Sequence, residues 1–542
     1  MADTDKLRGM KLPVPHFLTA PLPENLKRVH GYSNLQTFFP SLTKVFRLNK
    51  FQTENVWFDL PWIIDTIDCS GSQGPCNLVL ESKGEPQRTV PAFLKVTHLL
   101  DPIRWMQGHY SLPKEAGLPW HSKTWTAAWH KLQNPWNQAY VEALATYALG
   151  RLRKEGVSPH FNEFYGSFCA RADKYRYNIN EDFSSFRNSR WFWNGRQRGL
   201  YTLYITNPDA PSEKVPQDVL DEFLTQPELS DDNSSDEEVS VNMSEEMEEA
   251  SLKSMSMDEL DYAKEKDDES EVDDMYTVYA EIPNYPVMLI LTESNKDTME
   301  SLLDPECHSC EVGSQEWEAK WAAWIFQIIA ATCVMQKVLG MTHNDLHTNN
   351  IVWIPTEEEY IVYKGTDTYW KVPTYGKLFR IIDFGRSIFK INDAYFISDD
   401  FAIGNDAAGQ YNFSPLTAKQ ANPVPPNPSF DLSRLAVSLF EALFPVKPED
   451  HESRRILSEE EGLIVRESVS PLYNVLWSWM IDDEDKNILM DPDGSERFPD
   501  FDLYKHIAEH IHSADPSEQI HKAPFSSFRA EGPFEKAYPL FI

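Results

Sequence analysis

Between residues 317 and 340 the chain reads WEAKWAAWIFQIIAATCVMQKVLG. Its most apolar part, 321–335, is shorter than the roughly 20 residues a membrane-spanning helix needs and contains Gln327. A helix buried inside the protein accounts for it better, with Gly340 as its stop signal. Directly after it comes the polar run MTHNDLHTNN, and then the β-like triplet Ile351, Val352, Trp353. Polar residues wedged between two pieces of core, with His343, Asp345, His347 and Asn350 among them, form a loop, a metal site or a catalytic loop. Two histidines at i, i+4 bind zinc from a helix, but the residues around this pair are loop formers, so the zinc reading is discounted.

With 542 residues the chain can bury a large core and make more than one domain or lobe. Its 16 Trp argue against general disorder. A net charge of −34 disfavours non-specific binding to nucleic acid or an anionic membrane, since both need basic surface. Residues 211–276 carry 24 acidic and 4 basic residues, so one segment supplies most of the imbalance. Dense charge, Ser and few aromatics mark an insert at about 207–275 as disordered, either a solvated loop or a regulatory, partner-binding element. Ser235 and Ser244 precede acidic residues and suit an acid-directed kinase. Six Cys and a charged, polar start without a signal-peptide pattern predict an intracellular, reducing compartment. Cys307 and Cys310 have the spacing of half a zinc knuckle, but no second pair follows.

The first half reads as strands. WIIDTIDCSGSQGPCNLVLES (62–82) is strand, turn, strand, and TVPAFLKVTHLL (89–100) is a third, so an antiparallel sheet is expected. Asn134-Pro135 offers a helix start, and helical spacing continues to Gly156. SPHFNEFYGSF, GLYTLYITN and YPVMLILTES add strands, KLFRIIDFGRSIF (377–389) is strand and turn, and about 391–428 is loop. SFDLSRLAVSLFEALFP (429–445) is a second apolar helix, and the remainder reads as mostly helical.

Phosphoryl transfer needs metals to neutralise phosphate, a carboxylate near the attacking hydroxyl and a cation on the non-transferred phosphates. Asp345 sits in a loop after a buried helix, Asn350 lies just before a strand, and Asp383 precedes the turn Phe384-Gly385. HNDLHTNN (343–350) resembles the HRDLxxxN catalytic loop of protein kinases, and Asp383-Phe384-Gly385 resembles their DFG motif. The chain is thereby similar to a divergent eukaryotic-type protein kinase, with the DLH of haspin-like kinases and the look of kinases of large DNA viruses. The resemblance implies an α+β, bilobal fold with a small antiparallel-sheet N-lobe, a larger helical C-lobe and long inserts. Residues 1–56 would be an N-terminal extension, 57–294 the N-lobe, 295–515 the C-lobe and 516–542 a tail.

By the family's roles, Asp345 would be the catalytic base, and Asn350 and Asp383 would hold Mg2+. Lys95 in AFLKV would meet the phosphates of ATP. Glu142, or alternatively Glu115, would be its ion-pair partner. Gly71 and Gly74 would be the last two glycines of the phosphate loop, with Cys69 in the first slot. Backbone at Thr292, Glu293 and Ser294 would meet adenine. His343 would hold the loop's shape, and Asp431 would brace it. Asn344 stands where the family has an arginine that reads an activating phosphate, and His347 where many serine/threonine kinases have lysine. A protein serine/threonine kinase is implied, its acidic insert suiting a basic protein partner or a cationic small molecule. A small-molecule phosphotransferase and a nucleotide-binding pseudokinase scaffold are the alternatives.

Overall fold

The computed structural model describes residues 21–46, 56–82, 84–110, 118, 125–208, 210, 214–227, 275–391, 394–414, 416, 422–444, 455–458, 462–465, 470–491 and 495–541. It is a mixed α+β structure whose first half is built on a curled antiparallel sheet. The strands are β1 (Tyr32–Gln36), β2 (Ile63–Cys69), β3 (Gly74–Ser82), β4 (Glu85–His98), β5 (Phe164–Asn178), β6 (Thr202–Thr206) and β7 (Thr277–Glu293). Their order is β1-β5-β7-β4-β3-β2, with β6 also on β7. Residues 63–82 form the expected hairpin, in which Cys69 opposes Cys76 and the turn at 70–73 carries Gly71. β1 lies inside the segment expected as an extension, and it completes the sheet edge beside β5.

Between β4 and β5 runs helix α1 (Gln138–Lys154). It starts later than Asn134-Pro135 because Asn137 is the capping residue: its side chain accepts from the Ala139 amide, while 134–137 closes a turn. The expected disordered insert begins too early. Residues Gln217–Leu224 are helix α2, because Val219, Leu220, Phe223 and Leu224 recur at helical spacing. Phe223 is buried against Phe183 and Tyr276. Residues 228–274 of the insert, with Ser235 and Ser244, lie outside the described residues.

The long apolar stretch is helix α3 (Gln315–Leu339), capped by Ser314 and closed by Gly340 at φ +55°. By length and composition it could cross a membrane, yet 89% of its apolar window is buried inside the protein. Gln327 explains itself here: it donates to Lys377 O and accepts from the Phe379 amide. A buried amide with both ends satisfied costs little and fixes register. The strand it holds leads directly to Asp383.

Ahead of helix α3 lies β8 (Asp297–Thr298), and between the two motif loops lie β9 (Ile351–Pro355), β10 (Tyr360–Lys364), β11 (Tyr369–Pro373) and β12 (Lys377–Ile381), with β9 paired to both β8 and β12. The long spacing from Asp345 to Asp383 is thus filled by strands, β9 paired with β12 and β10 with β11. β13 (Ile388–Ile391) and β14 (Ala394–Ile397) make a further hairpin where loop was expected, and Phe389 stacks on Phe396. Helices α4 (Phe430–Leu443) and α5 (Asp502–His510) follow. The tail is not separate. Arg529–Ala530 pairs with β11 and Tyr538–Pro539 with β10, and Gln519 accepts from the Trp479 indole.

If α2 is an integral element, Phe223→Ala should lower unfolding stability by about 3 kcal/mol, as large-to-small core changes do. A urea melt measures this, and a change below about 0.5 kcal/mol would mean the helix does not pack as described.

Candidate active site

The site starts with a buried carboxylate. Asp431, in the first turn of α4, is fully buried, and its two oxygens accept from the His343 and Asn344 amides at 2.9 Å each. Burial pushes its carboxyl up, and the His343 side and the two amide hydrogen bonds oppose that. These bonds hold the turn in which Asn344 takes φ +65°. Asn is among the few residue types that tolerate the left-handed region. Its buried amide donates to Arg386 O at 2.9 Å, and its oxygen accepts from the Tyr411 hydroxyl at 2.7 Å. Asn344 is thus a neutral amide that joins the loop to two later segments.

His343 Nε2 lies 2.8 Å from Ile382 O, and its ring packs on Phe384. It ties the Asp345 loop to the Asp383 turn, with Asp383 also at φ +65°. Asn350 donates to Asp345 O (2.9 Å) and to His347 Nε2 (3.0 Å). Its amide NH2 is thereby spent, and Oδ1 remains as a possible ligand. Burial pushes the His347 imidazole down, which keeps it the neutral acceptor this bond needs.

From the sheet, Lys95 Nζ lies 2.5 Å from Glu142 Oε1 and 2.8 Å from Asp383 Oδ1. The structure thus joins Lys95 to Glu142 across 47 residues; Glu115 lies outside the described residues. Burial alone would push the ammonium down, but Asp383 and Glu142 outweigh it and hold it above its ordinary value. The Asp383 carboxyl is opposed by burial yet held low by Lys95. Exposure separates the two carboxylates: the Glu142 side chain is 4% exposed and the Asp383 side chain 43%. Glu142, also bonded by Thr97, is a strut, whereas Asp383 can reach a ligand. The carboxylate of Asp383 and Oδ1 of Asn350 are hard oxygen donors, the kind magnesium takes in small number alongside phosphate oxygens. Cys307 and Cys310 have other partners, Ser301 O and Lys320 Nζ.

Other expected residues stand differently. Gly74, at φ +105°, opposes Leu94 beside Lys95, so the hairpin mouth borders the lysine. The Tyr32 hydroxyl donates to Ser72 O at its turn. Glu293 also has a structural role: its amide donates to Glu163 O at 3.0 Å, and its carboxylate pairs with Arg153 and Arg380, so it braces β7 against β12. Thr292 is paired on both sides within the sheet, opposite Phe93 and Phe164. Ser294 lies just past the end of β7.

Three functional residues had no sequence signal. Tyr504 of α5 donates to Asp345 Oδ1 at 3.0 Å. Asp399 accepts from the Gln138 amide (2.9 Å), Lys131 Nζ (2.8 Å) and Asn134 Nδ2 (3.1 Å). It is a carboxylate at the N-terminus of α1, where the helix dipole favours negative charge. Arg386 pairs with Asp400 at 3.4 Å. The segment after Asp383 therefore clamps the helix that carries Glu142.

No family model matches the chain, and no curated protein sequence does. Among solved structures, the "ROP18 kinase domain in complex with AMP-PNP and sucrose" is similar at 9% identity, covering 88% of this chain and 84% of that chain, with a TM-score of 0.26. So weak a likeness leaves the functional reading to the geometry of the site itself.

Asp399→Ala should cost about 1–3 kcal/mol by leaving its donors unpaired. Hydrogen exchange of the amides at 138–142 should quicken at least about tenfold, and unchanged protection would show that Asp399 does not anchor α1. Asp400 gives a pH signature. Burial pushes its carboxyl up from 3.8 to about 6, with Arg386 opposing. A carboxyl raised in the native state costs stability when ionised, in full above about pH 6, and the cost disappears below the unfolded value. Relative to Asp400→Asn, the wild type should gain about 2 kcal/mol between pH 7 and pH 4 in denaturant titrations.

Proposed function

We propose that the chain is an ATP- and magnesium-dependent protein kinase that phosphorylates serine or threonine hydroxyls. The observation that carries this is Lys95, bridging Glu142 and Asp383 beside a loop that Asp431 holds by two backbone amides. A cation, an exposed carboxylate and a second carboxylate on a fixed loop are what phosphoryl transfer asks of a protein.

Lys95, with its charge secured by two carboxylates, would meet the non-transferred phosphates. Asp383 and Asn350 Oδ1 would hold magnesium, which supplies neutralisation of phosphate charge when bound. Asp345 would accept the proton of the attacking hydroxyl. A nucleotide-binding scaffold without transfer is the second reading, favoured by Cys69 in the first glycine slot, opposite Cys76.

The test is transfer of labelled γ-phosphate, with and without magnesium, to mixed proteins and in parallel to amino alcohols and sugars. Asp345→Asn and Asp383→Ala should each lower transfer by about 10²–10⁴-fold with thermal unfolding near that of wild type. Transfer that survives both substitutions would sink the reading. Binding of ATP without any turnover would favour the scaffold.

A further inference from the structure

Asp345 is held through its side chain as well as its backbone, and the holder comes from 159 residues away. The Tyr504 hydroxyl lies 3.0 Å from Asp345 Oδ1 and 2.8 Å from Arg434 Nε. Proton counting fixes the direction of both bonds. A guanidinium can only donate and an ionised carboxylate can only accept. The single phenolic proton therefore goes to Asp345, and Arg434 takes the oxygen's lone pair. A hydroxyl that accepts from a cation is a stronger donor, and its bond to a carboxylate is charge-assisted.

The phenol has little freedom to leave. Its ring stacks on Phe501 at 5.2 Å and meets Phe430 at 5.9 Å, with the Arg434 guanidinium over its face. Arg434 stands one turn beyond Asp431 on α4. One helix therefore fixes the loop's backbone through Asp431 and its carboxylate through Arg434 and Tyr504. Among the described residues, Asp345 Oδ2 has no hydrogen-bond partner.

We propose that Tyr504 is a positioning residue for phosphoryl transfer: its hydroxyl holds Asp345 in one rotamer, with Oδ1 occupied and Oδ2 free to take the proton of an acceptor hydroxyl. The role rests on the kinase reading above. A base within hydrogen-bond reach of its proton is effective only if the carboxylate is already oriented, and misorientation costs rate without weakening nucleotide binding.

Two measurements test it. In Tyr504→Phe, which keeps the stacked ring, kcat for γ-phosphate transfer should fall about tenfold with KM for ATP within about twofold; water serves as acceptor where no other is found. An unchanged kcat overturns the proposal, and so does a rise, which would mark the phenol as a gate over the base. The second readout needs no turnover. With 3-fluorotyrosine at position 504, the 19F-detected ionisation of the phenol should move to lower pH in Asp345→Asn, because the carboxylate that repels the phenolate is gone. An unmoved midpoint overturns the contact itself. A wild type that transfers no phosphate at all overturns the kinase reading, and the role with it, whatever the fluorine titration gives.

Discussion

A carboxylate with no solvent exposure is costly unless its lone pairs are met, and Asp431 meets them with two backbone N–H groups of the loop it supports. The arrangement is reciprocal. The loop needs those acceptors because its amides at 343 and 344 are buried at a left-handed turn, away from any strand or helix ladder. Removing either partner leaves the other buried and unpaired, so loop and helix α4 are stable only together. Asp345, Asn350 and His343 inherit their positions from this pairing, and Arg434 extends it to the side chain of Asp345 through Tyr504.

The sheet half reaches the same place by a different route. Lys95 is drawn toward two carboxylates of unequal role, one buried on α1 and one open on the Asp383 turn. Helix α1 is buried along most of its length, and Asp399 adds a polar anchor at its start by accepting the helix's first amide and Lys131, while the Trp136 carbonyl and indole bond the same segment. Asn344 joins this arrangement through bonds to Arg386 O and Tyr411. The clamp is thus built from carboxylates and amides present in the unmodified chain.

Legibility in the sequence followed the range of each interaction. Asp345, Asn350 and Asp383 were readable because loop chemistry beside apolar periodicity is local. Asp431 and Glu142 were readable only through resemblance, since nothing near either residue says what it faces. Tyr504, Asp399 and Arg386 were not readable at all: a Tyr on an amphipathic helix and an Asp in a polar stretch look like surface. Glu293 held a second role that was not readable. Its place at the end of an apolar strand suggested backbone for a ligand, and nothing local said that its carboxylate, flanked in space by Arg153 and Arg380, is a strut. Helix α2 was missed because a compositional window averages Phe223 together with the acidic residues downstream.

Two spacings within the site, 95 to 142 and 345 to 383, are long, and the site tolerates both. Closing a longer loop costs little, about 0.6 kcal/mol per doubling of length. That cost is offset when the added chain pairs with itself or with the core. Residues 360–373 do so as the β10–β11 hairpin, which gains further strands from the tail. The residues between β4 and α1 do so through Trp125, which is buried, and Asn137, which bonds Leu99 O. Insert length therefore says little about whether the ends meet. What decides it is whether each end is fixed, and here the ends are β9 and β12, paired to each other, and β4 and α1, joined by Lys95 and Glu142.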